Sequence, residues 1–308
     1  MFTIQKGRLA LVSAVAVGAV VALAGCASGD PLGTGSTTAS ESDTLVVGSQ
    51  DYYSNAIIAE IYSQALEANG FTVERSYRIG QREVYLPDLE AGGIDVFPEY
   101  TGSLLQALDG EAAGGTSDAT YTQLQEALPD GLRVLDKADA SDQNSWTVTK
   151  DFATKYNLTD IASLSNVTES ITVGGNSELE TRPYGPTALK EKYGIDIAGF
   201  SPVEDSGGQI TVDALVAGDI QLANIYTASP LIDSSNLVAL TDPDGLFFSD
   251  NVVPVVSNKV DAAAAEVLNA VSAALSAADL ATLNSQSVTD ETSEDVIAAD
   301  WLKQADLF

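Results

Sequence analysis

Two tyrosines stand at the end of nearly the same sentence. Leu89 to Ser103 reads LEAGGIDVFPEYTGS, and Leu215 to Ser229 reads LVAGDIQLANIYTAS. Without a gap the two share Leu, Ala, Gly, Ile, Tyr, Thr and Ser at matching places, so Tyr100 and Tyr226 occupy equivalent positions. A tyrosine ring presents a π-face that attracts a cation by roughly 0.5–2 kcal/mol per contact. A quaternary ammonium has no N–H and cannot be held by donating hydrogen bonds. Aromatic faces converging on one point, with weak negative charge nearby, are its natural site.

Other chemistries are poorly supplied. The chain has no histidine, which removes histidine-based triads and histidine metal ligands. Its one cysteine, Cys26, allows no internal disulfide. With 14 basic against 44 acidic residues the formal net charge is −30, and such a surface repels phosphate backbones, so no nucleic-acid partner is expected. Paired carboxylates exist, Asp95 with Glu99 and Asp250 further on, and hydrolases can work with two. No activated nucleophile, metal cluster or phosphate loop accompanies them. GGIDVF and SGGQI lack dinucleotide spacing. The reading is a binding protein without catalytic residues, metal or cofactor.

Both tyrosines must be positioned by α/β units. TLVVGS (44–49) reads as a buried strand, followed by a helix with Ile57, Ile58, Ile61, Ala65 and Leu66 on one face and Gly70 at its end. FTVERSYR alternates as a strand, LPDLEAGG reads as a short helix, IDVF as a strand and YTGSLLQAL (100–108) as a helix. Pro98 is expected to limit sheet pairing beyond it. The order β-α-β-α-β-α implies a mainly parallel sheet. The same grammar returns with SITVGG (170–175), TALKEKYG (187–194), ITVDALVAG (210–218) and IQLANIY (220–226). An Ala-rich helical tail runs from Asp261, with Trp301 as a packing anchor. Two α/β lobes with a helical tail returning to the first make a Venus-flytrap plan. Ligands of open α/β sheets sit beyond the carboxyl ends of strands, where Tyr100 and Tyr226 lie.

The N-terminus describes export. Lys6 and Arg8 precede an uncharged apolar run, Leu9–Leu23, that ends in Leu-Ala-Gly-Cys. The run is shorter than the roughly 20 residues that span a bilayer. The ending resembles the lipobox of bacterial lipoproteins, which implies cleavage after residue 25 and a lipid on Cys26. Residues 26–43 read as a flexible tether. Residues 44–145 plus 250–308 are assigned to lobe one, and 146–249 to lobe two.

VGSQDYYSNAIIAEIYSQALEANG together with LEAGGIDVFPEYTGSLLQAL resembles the substrate-binding lipoproteins of ABC importers for glycine betaine, choline and related osmoprotectants. The likeness continues through NSW (144–146), ELETR (178–182), IYTAS (225–229) and NVVPVV (251–256). It implies a two-lobe type II periplasmic-binding-protein fold, C-terminal helices packed on lobe one, and an extracytoplasmic monomer. The implied partners are a small quaternary-ammonium ligand, the permease and ATPase subunits of the importer, and the membrane through Cys26. The family's four-residue aromatic cage falls on Tyr100, Trp146, Tyr226 and Asp250. Arg182 falls on an arginine suited to a ligand carboxylate, Gln50 where relatives often carry lysine, and Ser103 on a threonine. Asn144 and Glu99 fall on pocket-shaping positions.

Asp250 replaces a ring, and Gln50 replaces a positive charge. Both changes move the pocket toward net negative, which favours a cation such as choline relative to zwitterionic glycine betaine. A larger zwitterion in the same cleft, or a ligand-sensing role, are the alternative readings.

Overall fold

The computed structural model describes residues 44–307; the signal, Cys26 and tether readings lie outside the described residues. Two five-stranded sheets organise the chain. The first contains β1 (Thr44–Gly48), β2 (Thr72–Ser76), β3 (Val96–Tyr100) and β4 (Leu132–Val134). The second contains β5 (Asn144–Thr149), β6 (Ile171–Gly175), β7 (Ile197–Pro202), β8 (Leu222–Tyr226) and β9 (Leu237–Ala239). The chain then returns to the first sheet as β10 (Val252–Ser257), giving the orders β2-β1-β3-β10-β4 and β7-β6-β8-β5-β9.

Each sheet is mixed rather than mainly parallel. β1, β2 and β3 run parallel, but β10 enters antiparallel between β3 and β4. In the second sheet β6, β7 and β8 are parallel, and β5 is antiparallel to β8 and β9. The strand that enters each lobe from the other one therefore takes the antiparallel place. Pro98 does not end pairing: β3 continues to Tyr100, and Pro98 faces Pro254 of β10. The pair is tolerated because both carbonyls bond elsewhere, to the Asn55 side-chain amide at 2.8 Å and the Leu135 N–H at 2.9 Å.

In the first lobe α1 (Tyr53–Ala68) covers the sheet, followed by α2 (Arg82–Glu90), α3 (Thr101–Leu108) and α4 (Ser117–Ala127). The second lobe holds α5 (Lys150–Tyr156), α6 (Pro186–Tyr193), α7 (Gln209–Ala217) and α8 (Leu231–Ser234). α9 (Ala262–Ala274), α10 (Ala277–Val288) and α11 (Glu294–Gln304) return to the first lobe. There Leu268, Val271, Leu280, Ile297 and Trp301 share one buried core with Ile57, Ile58 and Ile61 of α1. α1 is buried on nearly all sides because the sheet lies on one face and these three helices on the other. A second core around Trp146, Val173, Leu189 and Leu222 holds the other lobe.

Candidate binding site between the lobes

The repeated stretches are the same supersecondary unit built twice. α2 and α7 each end near a left-handed glycine, Gly92 (φ 77°) and Gly218 (φ 84°), which only glycine adopts without strain. A strand follows, β3 or β8, and each strand closes on its tyrosine.

The Tyr-Thr ending makes a bonded knot with one of the two crossovers between lobes. In lobe one the Thr101 N–H donates to Asn251 O at 2.9 Å, and Thr101 Oγ1 accepts from the Asn251 N–H at 3.0 Å. In lobe two Thr227 does the same with Gln143, at 2.9 and 3.0 Å. One residue further on, the Gly102 N–H donates to Asp250 Oδ1 at 2.7 Å, and the Ala228 N–H donates to Asp142 Oδ1 at 2.8 Å. Each crossover thus carries one aspartate beside one repeat tyrosine. Glycine is needed at 102 because a Cβ there would stand 2.8 Å from both Phe248 Cβ and Ser249 O.

Tyr52, just past β1, completes the ring cluster. It stacks on Tyr226 with centroids 5.1 Å apart and planes at 26°. Asn55 fixes this corner: its Oδ1 accepts from the Gln50 N–H and its Nδ2 donates to Pro98 O, both at 2.8 Å. Tyr52, Tyr100, Tyr184 and Tyr226 face one small cavity of about 30 Å³. Burial raises all four phenol pKa values, so the hydroxyls stay neutral.

Seven of the residues singled out from sequence line this cavity: Gln50, Tyr100, Ser103, Asn144, Arg182, Tyr226 and Asp250. Trp146 does not. Asn144 pairs with Tyr226 at the cleft edge, whereas Trp146 pairs with Asn224, two residues deeper. That is about 6–7 Å further from the crossover. Trp146 is fully buried there and packs against Phe247, with ring centroids 6.3 Å apart.

Four formal charges face the cavity, and only the two positive ones are matched. Buried Arg82 donates to both oxygens of Glu99 at 2.8 and 2.9 Å, and the Tyr85 hydroxyl also donates to Glu99. Glu99 therefore serves Arg82 rather than lining the cavity itself. Arg182 reaches across the cleft to Glu83 at 3.1 Å. Among the described residues, neither Asp142 nor Asp250 has a lysine or arginine at ion-pair distance. Burial raises both carboxyls to about pKa 6, despite the hydrogen bonds that oppose it.

Besides the Tyr52–Tyr226 stack, polar bonds join the lobes: Asn144 to Ser103 at 3.2 Å, Gln81 to Ser206 at 3.1 Å, Asn284 to Ala228 O at 3.2 Å, and the Arg182–Glu83 pair. Such contacts can break and reform as two lobes hinge about two crossovers.

Tyr52, Asp142, Tyr184 and Arg82 were not singled out from sequence. Tyr52 follows a strand end and lies inside the GSQDYYS text, so the strand-end rule reaches it. Asp142 stands two residues before Asn144, just as Asp250 stands two before Val252, and Val252 faces Tyr100 as Asn144 faces Tyr226. The duplication therefore points to Asp142 once it is extended to the crossovers.

Comparison with known proteins fits this geometry. Residues 43–304 match the OpuAC family, described as the substrate binding domain of ABC-type glycine betaine transport systems. The chain belongs to the OpuAC family. Among relatives of this OpuAC chain, the glycine betaine-binding protein YehZ of Escherichia coli K12 is 25% identical over 272 residues, covering 84% of this chain and 89% of YehZ. A solved glycine betaine/carnitine/choline ABC transporter protein superposes with a TM-score of 0.68 at 19% identity, covering 85% of this chain and 99% of that one. An ABC-transporter choline binding protein in complex with choline superposes at 0.61 with 16% identity, covering 85% and 88%. The OpuAC chain has the type II periplasmic-binding-protein fold that these structures share.

Proposed function

We propose that this OpuAC-family protein captures a quaternary-ammonium solute between its lobes and hands it to the permease of an ABC importer. The observation that carries the reading is the convergence of Tyr52, Tyr100 and Tyr226 on one buried cavity beside two unpaired carboxylates. Rings supply cation–π attraction, and the aspartates supply the negative field. The cavity is about 30 Å³, room for little more than a water. Tyr52 and Tyr226 must therefore part to admit an alkylammonium group, and hinging about the crossovers separates them. Ligand then shifts the population toward a closed form that touches it from both lobes. Relatives named for glycine betaine and choline support this ligand class.

In this reading the protein is not an enzyme, acts as a monomer outside the cytoplasmic membrane, and is held there by lipid on Cys26. Its site residues are Gln50, Tyr52, Tyr100, Ser103, Asn144, Arg182, Tyr226 and Asp250, with Asp142. A thermal-shift panel of choline, glycine betaine, carnitine and common amino acids tests it, since a true ligand raises Tm by mass action. A rise with at least one quaternary amine is expected. A rise only with ligands of another class would overturn the reading.

A further inference from the structure

The two knots share the threonine pair and the bond to the aspartate, and they differ at the serine that follows. In lobe one Ser103, the last residue of Tyr-Thr-Gly-Ser, donates its N–H to Asp250 Oδ1 at 2.9 Å and its hydroxyl to Oδ2 at 2.5 Å. Both Asp250 oxygens are thereby occupied at the start of α3, where a carboxylate is favoured. In lobe two Tyr-Thr-Ala-Ser turns instead of starting a helix. The Ser229 N–H bonds back to Tyr226 O at 3.0 Å, and its hydroxyl accepts from the Leu231 N–H at 3.4 Å. Asp142 accepts the Ala228 N–H on Oδ1, while its Oδ2, with the Ser54 and Asn284 side chains nearby, makes no hydrogen bond although the residue is 2% exposed. The hydroxyl of Tyr100 and Oγ of Ser54 are likewise buried without a partner.

We propose that Asp142 is the charge selector of the site: its carboxylate lines the cavity beside the ring cluster and favours a quaternary ammonium that carries no carboxylate of its own. The inference rests on the quaternary-ammonium reading and adds the ligand's net charge. A buried carboxylate with an open side is unfavourable alone and becomes favourable when a cation settles beside it. A net cation gains from Asp142 and Asp250 together. A zwitterion brings its own carboxylate into the same negative field. To recover that loss it must take Arg182 from Glu83. Arg82 is already engaged, since both oxygens of Glu99 hold its Nε and Nη2.

The test is calorimetric titration of wild type, Asp142→Asn and Asp142→Glu with choline and with glycine betaine near neutral pH. Wild type is expected to bind choline more tightly. Asp142→Asn is expected to weaken choline by roughly tenfold or more, since opposite charges a few ångströms apart interact by a few kcal/mol at a protein-like dielectric. Glycine betaine binding to the same variant should stay level or tighten, and Asp142→Glu should keep part of the preference. Equal losses for both ligands, unchanged choline binding, or a wild-type preference for glycine betaine would overturn the selector while leaving the quaternary-ammonium reading in place. Wild type that binds neither would sink both. A choline-specific loss also separates this role from a merely structural one, which would weaken both ligands alike.

Discussion

Replacing Asp142 by asparagine should make the protein more stable at neutral pH, not less. Burial raises the Asp142 carboxyl from 3.8 to about 6 in the folded chain. The proton is thus bound more tightly folded than unfolded. Stability from this group is fully present below the unfolded pKa and is lost as pH rises through about 6. Near neutral pH the charged side chain costs about 3 kcal/mol, from roughly two pKa units at 1.36 kcal/mol each. Asparagine removes the charge and keeps an oxygen for the Ala228 N–H. At about 2–4 °C per kcal/mol for a domain of this class, Tm should rise by roughly 6–12 °C. Thermal unfolding of wild type and Asp142→Asn, followed by circular dichroism at neutral pH and again below the unfolded carboxyl pKa, reads the effect. The gap should close at the acid end, where both side chains are neutral. A variant that is less stable at neutral pH, or a gap of equal size at both ends, would refute the reasoning. The expected pairing of higher stability with weaker cation binding is the trade made where a functional group is held in an unfavourable place.

Tyr226→Ala should lower affinity for a quaternary amine by about two- to thirtyfold, the span of one cation–π contact, and calorimetry reads it directly. Trp146→Phe should leave affinity nearly unchanged, while Trp146→Ala should destabilise by roughly 3–5 kcal/mol through a cavity in the second core. A large affinity loss in the phenylalanine variant, with Tm preserved, would put Trp146 back among the ligand contacts. Arg82→Met leaves buried Glu99 with only the Tyr85 hydroxyl and the Tyr100 N–H. It should destabilise by roughly 3–5 kcal/mol in denaturant unfolding.

Much of this was legible because repeats and strand ends are local signals. The helix–glycine–strand grammar located both tyrosines, and Gly92 and Gly218 do adopt the left-handed backbone that such endings need. The parallel strands and return helices followed from periodicity. The antiparallel entry of β5 and β10 did not, because pairing direction is set by where a crossover lands, not by local pattern. Trp146 was misleading for a related reason. It lies two residues from Asn144, but the strand runs away from the cleft, and that step carries the ring into the second core. Asp142 has no periodicity to reveal it. Only its bond to Ala228, matched to that of Asp250 with Gly102, shows that the repeat extends beyond the repeated letters. By position Asp250 stands where related proteins carry a ring. In the structure its carboxylate also secures the first turn of α3.

The central claim is that tyrosine faces and hinge carboxylates hold a positive charge. It is tested most directly by titrating the protein with choline and with its uncharged carbon isostere, 3,3-dimethyl-1-butanol, which has the same shape and hydroxyl. Several cation–π contacts of roughly 0.5–2 kcal/mol each predict that the isostere binds at least tenfold more weakly. Equal affinity for the two would show that the cleft recognises shape and apolar surface alone, and would contradict the account.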